Sequence, residues 1–345
     1  MRLPLLLLIL ILNFSFTTFA AIAPAWVRIR IQKDLIQFPQ VRGTSQIFQL
    51  SEKLWLVRGA GLMFQSKQLP SDNLVLRKPN GRFDLIAVVD FNEYLAGVVA
   101  NEMPVSWPIE ALKAQAVVAR SFALARIRER RDRSFHLDSD QGDQVFAFTN
   151  SAKPRQAVYG TDGVVLQMPS GRILKAFYHA DCGGQTVPAS EVWGARAFDS
   201  GVATDSWCGA RKSNEWFYEI SRNEFTQKLG MDAQTNEAPA IFPPGQKAQL
   251  LQIGEKIFSV QKLREIFGFS NIRSAVDKIE FGEQQIRIFG KGFGHGAGLC
   301  QWGTLAQARL GKNYVEILSH YYPNAKLARE IVKLTLNSRE NSVSN

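Results

Sequence analysis

The chain has 345 residues, a formal net charge of +10 and three cysteines. This length allows one large domain or two modest ones with a substantial buried core. Beyond residue 20 the sequence has no segment long and apolar enough to cross a membrane, and it has no C-x-x-C pair, which argues against a zinc ribbon. The basic excess favours a polyanionic partner, either nucleic acid or an anionic cell-wall polymer.

Residues 1–20, MRLPLLLLILILNFSFTTFA, combine one early positive charge with an apolar stretch and with Thr18 and Ala20 at the positions that a signal peptidase reads. This pattern predicts a secretory signal cleaved after Ala20. A retained membrane anchor is the alternative, although the apolar stretch is shorter than most membrane-spanning helices need. We therefore expect export to the periplasm or cell envelope, where an anionic partner is a cell-wall polymer, and no stable membrane span once the signal is removed.

Short alternating runs between Trp26 and about Val89 predict several strands separated by turns. Asp90 opens the next segment and is followed three residues later by Glu93, which is a capping-box pattern. These residues predict a helix that begins after Asp90 and ends near Asn101.

A second helix is predicted from Ser106, which can cap it, with Pro108 and Glu110 suited to its first turn. Its Ala-rich face indicates close packing in the core. The basic run Arg126–Arg133 falls at its far end, where we interpret it as a solvated face in preference to a binding stripe.

Glu102 falls at the C-terminal end of the first predicted helix, where unpaired carbonyl groups carry partial negative charge. A carboxylate there is harder to ionise, and apolar neighbours such as Val98, Met103 and Trp107 add desolvation in the same direction. The position therefore suits a general acid, although a glutamate at a helix end is more often a solvated charge.

Beyond residue 145 the strand pattern returns in VVLQM and ILKAFYHA, which lead into the glycine-rich loop DCGGQT. Two related pieces, ISRNEFTQKLG and FSVQKLREIFG, each predict a strand end, a cap and a short helix. The stretch KIEFGEQQIRIFGKGFGHGAGLCQWGTLAQARLG predicts a hairpin, a glycine-dense loop and a helix. MDAQTNEAPAIFPPGQK is interpreted as a surface connection, and the tail from Asn337 as disordered.

Two of the three cysteines can pair in an oxidising compartment and leave one over. Cys300 lies in GAGLCQWG, among small and apolar residues where a thiol can act as a small hydrophobic group. The predicted disulfide is therefore Cys182 with Cys208.

The remaining polar motifs do not single out one ligand. GKGFGHG lacks the spacing of a nucleotide-binding glycine loop, so nucleotide binding is set aside. His295 in that loop can be a metal ligand, a proton carrier or a hydrogen-bonded structural residue. The other dense group is His179 with Asp181 and Cys182, where strand alternation puts His179 and Asp181 on one face, either as ligands or as a hydrogen-bonded pair.

Three blocks, YLAGVVANEMPVSWPIEALKAQAVVARSFAL, FYHADCGGQT followed by EVWG, and GKGFGHGAGLCQWGTLAQARLG followed by ILSHYYP, occur in this order. They resemble the signature blocks of the SpoIID/LytB family of peptidoglycan-acting proteins, and the resemblance runs from about Trp26 to Leu327. It implies that Glu102 is the catalytic acid, because the family's acid is the Glu of its EMP element. It also implies lytic cleavage of the β-1,4 bond between N-acetylmuramic acid and N-acetylglucosamine, with formation of 1,6-anhydromuramic acid and without a second carboxylate.

The resemblance further implies a substrate groove. The residues that match the family, and that are expected to line this groove, are Tyr94, Lys113, Gln115, Asp181, Gly183, Gly184, Thr186, Trp193, His295, Gln301 and Trp302. For each of them a packing role is an equal alternative. Aromatic faces for sugars are expected from Trp193, Trp302, Tyr321 and Tyr322.

Some members of this family hold zinc through His and Cys residues that precede a Q-x-Y element. The matching stretch here, FHLDSDQGDQVFAF, keeps His136 but has Asp and Gly in place of the other ligands. The sequence therefore predicts neither a metal site nor any other cofactor.

Two other functions compete with the lytic transglycosylase. Family members described as amidase enhancers make a non-catalytic peptidoglycan-binding protein with a cell-wall amidase as partner the main alternative. A nucleic-acid-binding protein conflicts with the predicted signal and lacks a recognisable motif, so no nucleic acid is expected.

The segregation of strands and helices along the chain predicts an α+β fold with a groove between lobes. The expected organisation is a signal peptide at 1–20, a β-rich segment at 21–89, a SpoIID-like catalytic region at 90–336 and a disordered tail at 337–345.

Overall fold

A computed structural model describes residues 26–194, 201–209, 214–231 and 250–329. The predicted signal peptide, most of the predicted surface connection and the predicted tail lie outside these residues. Helices and several sheets occur together along the described chain, which confirms the α+β class. Of the helices described, none combines the length and the apolar character that crossing a membrane would require.

The helices are α1 (Phe91–Glu102), α2 (Ile109–Glu129), α3 (Ala152–Tyr159), α4 (Ala189–Trp193), α5 (Ser206–Gly209), α6 (Arg222–Leu229), α7 (Val260–Phe267), α8 (Gln301–Arg309) and α9 (Tyr314–Tyr321). The strands are β1 (Trp26–Leu35), β2 (Arg42–Ser51), β3 (Leu54–Phe64), β4 (Lys67–Gln68), β5 (Asp72–Arg77), β6 (Phe83–Asp90), β7 (Leu137–Asp138), β8 (Val164–Gln167), β9 (Tyr178–His179), β10 (Glu215–Ser221), β11 (Leu250–Ile253), β12 (Lys256–Ser259), β13 (Val276–Phe281), β14 (Gln285–Lys291), β15 (Leu299–Cys300) and β16 (Lys326–Arg329).

The N-terminal strands form a seven-stranded sheet in the order β2-β3-β5-β6-β1-β7, with β4 paired to β3. Alternate residues of β1, Val27, Ile29 and Ile31, are buried, as expected for a strand with one face on the core. They share one hydrophobic core with apolar residues of α1 and α2. The sheet therefore supports the two helices that flank Glu102.

Local signals place the start of α1 correctly and misplace the start of α2. The Asp90 side chain accepts hydrogen bonds from the backbone N–H groups of Asn92 and Glu93, so the predicted helix is confirmed, and it ends at Glu102. The prediction that Ser106 caps α2 is wrong. The N-cap is Pro108, which makes no side-chain hydrogen bond, and its extended backbone delays the helix to Ile109.

Residues 214–231 and 250–291 form a small lobe, built on the sheet β10-β14-β13 and on the hairpin β11-β12. Its own apolar core includes the stacked rings of Phe225 and Phe267, whose centroids lie 5.3 Å apart. Ser221 and Ser259 cap α6 and α7, which confirms the strand end, cap and helix predicted for both segments. The rest of the described chain is the main lobe.

In the main lobe the DCGGQT and GFGHG loops converge. Strand β15 pairs in parallel with β9, and Asp181 and Phe293 exchange two backbone hydrogen bonds of 2.8 and 2.9 Å. Gly298 makes the approach possible, because its φ is +73° and a Cβ atom there would overlap the carbonyl oxygen of Phe177. This pairing carries Tyr178 and Gln301 to the end of α1.

Candidate active site

Glu102 ends α1 as a half-buried carboxyl group surrounded by donors. Its Oε1 accepts a hydrogen bond of 3.2 Å from the backbone N–H of Val145, and the Tyr178 hydroxyl lies close enough to lower the pKa of the carboxyl group. Burial raises the pKa of Glu102 above its ordinary value, and this hydrogen bond and the nearby Tyr178 and Gln301 groups lower it by less. Burial therefore favours the protonated acid, while the donors stabilise the anion that forms when the proton leaves.

A chain of hydrogen bonds leads from the core to Tyr178, which lies beside Glu102. Tyr94 donates to Oε1 of Gln144 over 2.9 Å, and Nε2 of Gln144 donates to the Tyr178 hydroxyl over 3.3 Å. This leaves the proton of the Tyr178 hydroxyl available toward Glu102. Sequence reasoning singled out Tyr94 but missed Tyr178 and Gln144, although Tyr178 stands inside one of the three matching blocks.

Gln301 is the first residue of α8 and lies beside the Glu102 carboxyl group. The two groups are near enough to affect the pKa of Glu102, but they do not reach hydrogen-bond geometry. Among the described residues the buried amide nitrogen of Gln301 has no hydrogen-bond partner. A buried N–H group without a partner is costly, so this donor is available to a ligand at Glu102.

A cavity of about 840 Å³ opens next to this cluster. Glu102 does not line it, but two lining residues, Phe177 and Asp143, are the chain neighbours of Tyr178 and Gln144. The wall carries more basic than acidic residues: Glu129 and Asp143, which pair with Lys175 and Arg126, stand against Arg126, Arg128, Arg172 and Lys175. An anionic polymer that reached Glu102 could extend along this wall.

Exposed aromatic rings flank the same region. Trp193 is 41% exposed and stacks on Phe177 with ring centroids 3.9 Å apart, and His295 lies 4.8 Å from the Trp193 ring. Trp302 is 36% exposed and packs on Trp107 at 5.3 Å. Such faces suit the apolar sides of sugar rings.

His295 has a defined tautomer in its neutral form. Its Nδ1 accepts a hydrogen bond of 3.1 Å from the backbone N–H of Ala297, so its proton is on Nε2. Burial and the nearby His179 hold the pKa of His295 well below its ordinary value. The ring is therefore a neutral N–H group on the wall of the cavity.

The two predicted groove residues on α2 are held by structural contacts. The Lys113 ammonium pairs with Glu110 at 2.7 Å and lies over the Tyr314 ring. Gln115 is fully buried, and both polar atoms of its side chain have no hydrogen-bond partner among the described residues. The structure places neither side chain against Glu102.

The DCGGQT loop is tied to the chain near Ala203. Thr186 is buried, and its hydroxyl accepts a hydrogen bond of 2.7 Å from the Ala203 N–H group. Gly183 and Gly184 have φ values of +65° and +111°, which other residues rarely adopt. Thr186 and the two glycines shape the loop, and no ligand-facing role is visible for them.

Asp181 lies in the same loop as a buried carboxyl group. Its Oδ1 accepts hydrogen bonds from the Gly183 N–H group at 2.8 Å, the Cys208 thiol at 2.9 Å and the Asn214 amide at 3.1 Å. Burial is the main cause that raises the pKa of Asp181 to about 6. The hydrogen bond from the Cys208 thiol places Asp181 beside the cysteines.

Two further expectations fail because of burial. Tyr321 and Tyr322 are fully buried, so they cannot offer faces to sugars. The Tyr321 hydroxyl donates to Asp205 over 2.6 Å, and the Tyr322 hydroxyl donates to the Phe177 carbonyl over 2.5 Å. Both rings pack in the core, and these hydrogen bonds satisfy their buried hydroxyl groups.

The predicted disulfide between Cys182 and Cys208 is not formed in this structure. All three cysteines lie in the described part of the chain, and each is a buried thiol. Cys300 is not an isolated hydrophobic group either, because its sulfur accepts a hydrogen bond of 3.3 Å from the Cys182 N–H group. The three thiols form one cluster, which sequence spacing could not reveal.

The stretch that matches the zinc ligands of some family members does not fit a metal. Both ring nitrogens of His136 are engaged by Arg28, at 3.2 Å to its backbone N–H and 3.0 Å to its guanidinium. Burial lowers the pKa of His136 to about 4. The buried Asp143 carboxylate pairs with Arg126 and Arg130, at 2.6 Å each. Ion pairs hold this stretch, and no catalytic step is assigned to a metal there.

Comparison with known proteins agrees with the class that the fold and the three blocks define. The family model described as stage II sporulation protein, SpoIID, matches residues 79–168, which include α1, Glu102 and α2. An uncharacterised protein of Brachyspira hyodysenteriae is 30% identical over 251 residues, which cover 70% of this chain and 68% of that protein. The chain belongs to the SpoIID/LytB family.

Two named relatives carry different descriptions. Stage II sporulation protein D of Bacillus amyloliquefaciens is 29% identical over 262 residues, covering 70% of this chain and 74% of that protein. The amidase enhancer of Bacillus subtilis is 24% identical over 288 residues, covering 68% of this chain but only 40% of that longer protein. This membership supports a cell-wall-associated role.

Proposed function

We propose that this protein is an exported lytic transglycosylase of peptidoglycan, with Glu102 as its single general acid and base. It cleaves the β-1,4 bond between N-acetylmuramic acid and N-acetylglucosamine and leaves a 1,6-anhydromuramic acid end. The observation that carries the proposal is a half-buried carboxyl group with a raised pKa, set among the Val145 N–H group, the Tyr178 hydroxyl and the Gln301 amide.

Both proton transfers can be carried by one carboxyl group. Protonated Glu102 gives its proton to the glycosidic oxygen as the bond from that oxygen to C1 of the muramyl residue breaks. The carboxylate then accepts the proton of the muramyl C6 hydroxyl while O6 bonds to C1. Glu102 ends protonated, as it began, and no water is consumed.

The opposing influences on the pKa of Glu102 suit this cycle. Burial favours the protonated acid needed for the first step, and the nearby Val145 N–H and Tyr178 hydroxyl groups favour the carboxylate that exists between the two steps. A second carboxylate, Asp143, lies near enough to Tyr94 to raise its pKa, as Glu102 does. Asp143 is already paired with Arg126 and Arg130. Asp143 is therefore poorly suited to be the second carboxylate of a hydrolase.

The surroundings suit a glycan strand. The exposed rings of Trp193 and Trp302 provide faces for sugars, and the basic wall of the cavity provides charge for the carboxylates of muramic acid and its peptides. The Gln301 amide provides a donor at the point of cleavage. These features support glycan strands as the substrate.

A second candidate function is a non-catalytic enhancer of a cell-wall amidase. The resemblance to a relative named amidase enhancer covers 68% of this chain, which favours this reading. The same rings and basic wall would then only bind glycan.

One experiment separates the two functions. Protein lacking residues 1–20 is incubated with purified glycan strands, with and without peptides, and the products are analysed by mass spectrometry. A lytic transglycosylase gives fragments with anhydromuramic ends, lighter by one water than hydrolytic fragments. If wild-type protein yields no fragments but accelerates a purified amidase, and Glu102→Gln accelerates it equally, the chain is an enhancer.

A further inference from the structure

Four potential metal ligands converge in the main lobe, away from the stretch that matches the family's zinc ligands. One ligand atom each from Cys182, Cys208, Cys300 and Asp205 lies within 4.8 Å of all the others. The four residues come from the DCGGQT loop, from α5 and the residue before it, and from β15. All four are buried, with exposures of at most 1%.

This spacing is close to that of a closed tetrahedral centre. Zinc–sulfur bonds of about 2.3 Å place tetrahedral ligand atoms roughly 3.8 Å apart. Side-chain movements of about 1 Å or less would therefore bring the four atoms onto one ion. Three thiolates and one carboxylate carry the same formal charge as the four thiolates of common structural zinc sites.

The backbone already directs donors at the sulfurs. The N–H groups of Cys182 and Gly303 donate to the Cys300 sulfur over 3.3 and 3.4 Å, and the N–H group of Gly184 donates to the Cys182 sulfur over 3.4 Å. Such donors are expected around thiolates, whose negative charge they stabilise. A thiol that only fills space in a core does not need them.

Outer groups also hold the ligands in place. Tyr321 donates to Oδ2 of Asp205 over 2.6 Å, and the Cys208 N–H group donates to Oδ1 over 2.9 Å. Gly303 closes the cluster, since a side chain at that position would overlap Asp205 and Tyr321. Partners that orient a ligand are typical of metal centres.

A disulfide accounts for this arrangement less well. Joining Cys182 to Cys208 would leave the buried Cys300 thiol and the buried Asp205 carboxyl group beside the bond but outside it. A divalent cation engages all four groups and neutralises part of their charge. The softness of three sulfur ligands selects a metal such as zinc over calcium or magnesium.

We propose that Cys182, Asp205, Cys208 and Cys300 bind one structural Zn²⁺ ion as a four-coordinate site. Binding releases the three thiol protons and leaves no open position for substrate, so the ion takes no part in glycan cleavage. It joins the DCGGQT loop and α5 to the start of α8, where Gln301 follows Cys300 directly. Zinc thereby fixes the backbone that presents Gln301 to Glu102.

The test measures zinc in the exported full-length protein, purified from envelope fractions without chelator. We expect one zinc per chain by elemental analysis, all three thiols unreactive until the protein is denatured, and loss of the zinc in Cys182→Ser, Cys208→Ser and Cys300→Ser. The matched control His136→Gln, in the stretch that resembles the family's zinc ligands, should keep one zinc per chain.

Because a cysteine variant can fail to fold, wild-type protein is also loaded with Co²⁺ after removal of zinc. Three thiolate ligands predict an intense thiolate-to-cobalt charge-transfer band and the strong visible bands of tetrahedral cobalt. Wild-type protein with no zinc and a Cys182–Cys208 disulfide would overturn the proposal. So would zinc that is lost in His136→Gln and kept in Cys300→Ser, or cobalt spectra without charge-transfer bands. None of these three results depends on whether the protein cleaves glycan.

Discussion

The carboxyl group of Glu102 and the cysteine cluster meet at one junction, where Gln301 belongs to the first and its neighbour Cys300 to the second. The cysteine cluster is closed: its groups are fully buried and directed at one another. The Glu102 cluster is open: the Glu102 side chain is half-buried, and within the described residues the buried amide nitrogen of Gln301 beside it has no hydrogen-bond partner. The open cluster is suited to a reacting ligand, and the closed one to holding the fold.

The largest effect should come from removing the acid. Glu102→Gln keeps the shape of the side chain but cannot exchange a proton, so glycan cleavage should fall on the order of a hundred- to ten-thousand-fold. Glycan binding and the urea midpoint of unfolding at acidic pH should stay near wild type. The control Glu224→Gln changes an exposed glutamate of the small lobe and should keep full activity. An active Glu102→Gln protein would refute the role of Glu102.

A smaller effect is expected from the amide beside it. Gln301→Leu removes the hydrogen-bond donor that lies beside Glu102, at the proposed point of cleavage. The kcat should therefore fall roughly tenfold to a hundredfold. The matched control is Gln307→Leu, a second buried amide of α8 that also has an amide nitrogen without a partner among the described residues. Steady-state rates of fragment release distinguish them. Equal losses in both variants would assign Gln301 to packing.

A change in the cysteine cluster should alter the stability of the protein and leave the pH dependence of cleavage unchanged. Asp205→Asn replaces one of the two oxygens that accept from Tyr321 and the Cys208 N–H group, so unfolding should require about 1–3 kcal/mol less free energy. Urea unfolding gives this difference. The pH at which cleavage activity declines should be unchanged, and a displaced pH profile would show that the two clusters are coupled electrostatically.

The subtlest effect concerns pH. Because the pKa of Glu102 is raised and the acid must start protonated, kcat should decline as pH rises through that pKa. Tyr178→Phe removes the hydroxyl group whose proximity lowers the pKa of Glu102, so the decline should move to higher pH. The exposed Tyr159 provides the control Tyr159→Phe, which should leave the profile in place. A decline displaced to lower pH would contradict the assignment.

The raised pKa of Glu102 also has a consequence for stability, with a definite sign. A group with a pKa raised by folding contributes stability below its unfolded value, and this contribution is lost as pH rises through the folded value. Wild-type protein should therefore lose stability relative to Glu102→Gln as pH increases above the acidic range. Thermal unfolding of both proteins across pH measures the difference, and parallel curves would exclude a raised pKa.

Much of the secondary structure was readable from the sequence because its signals are local. Asp90 and the caps Ser221 and Ser259 each act on N–H groups two or three residues away, so the sequence shows both partners. The sequence also singled out Glu102, because the helix end and the apolar neighbours that mark it lie within a few residues. The prediction that Ser106 caps α2 was wrong, because Pro108 is the N-cap and the helix begins at Ile109.

The rest of the site depends on pairing between distant segments. Tyr178 reaches Glu102 only because β9 pairs with β15, and Asp205 joins the cysteines only through the packing of α5 on α8. Neither contact has a sequence period or spacing that predicts it. The burial of Tyr321 and Tyr322 likewise follows from tertiary contacts, since an ILSHYYP segment gives no sign of which side faces the core.

If Glu102 drives an intramolecular cleavage, no water enters the product. The direct measurement is cleavage of purified glycan strands in water enriched in oxygen-18, followed by mass spectrometry of the new muramic acid ends. We expect anhydro ends without oxygen-18, formed by wild-type protein and hardly at all by Glu102→Gln. Reducing ends that carry one oxygen-18 atom would show that water attacks C1, and they would contradict a single-carboxyl mechanism.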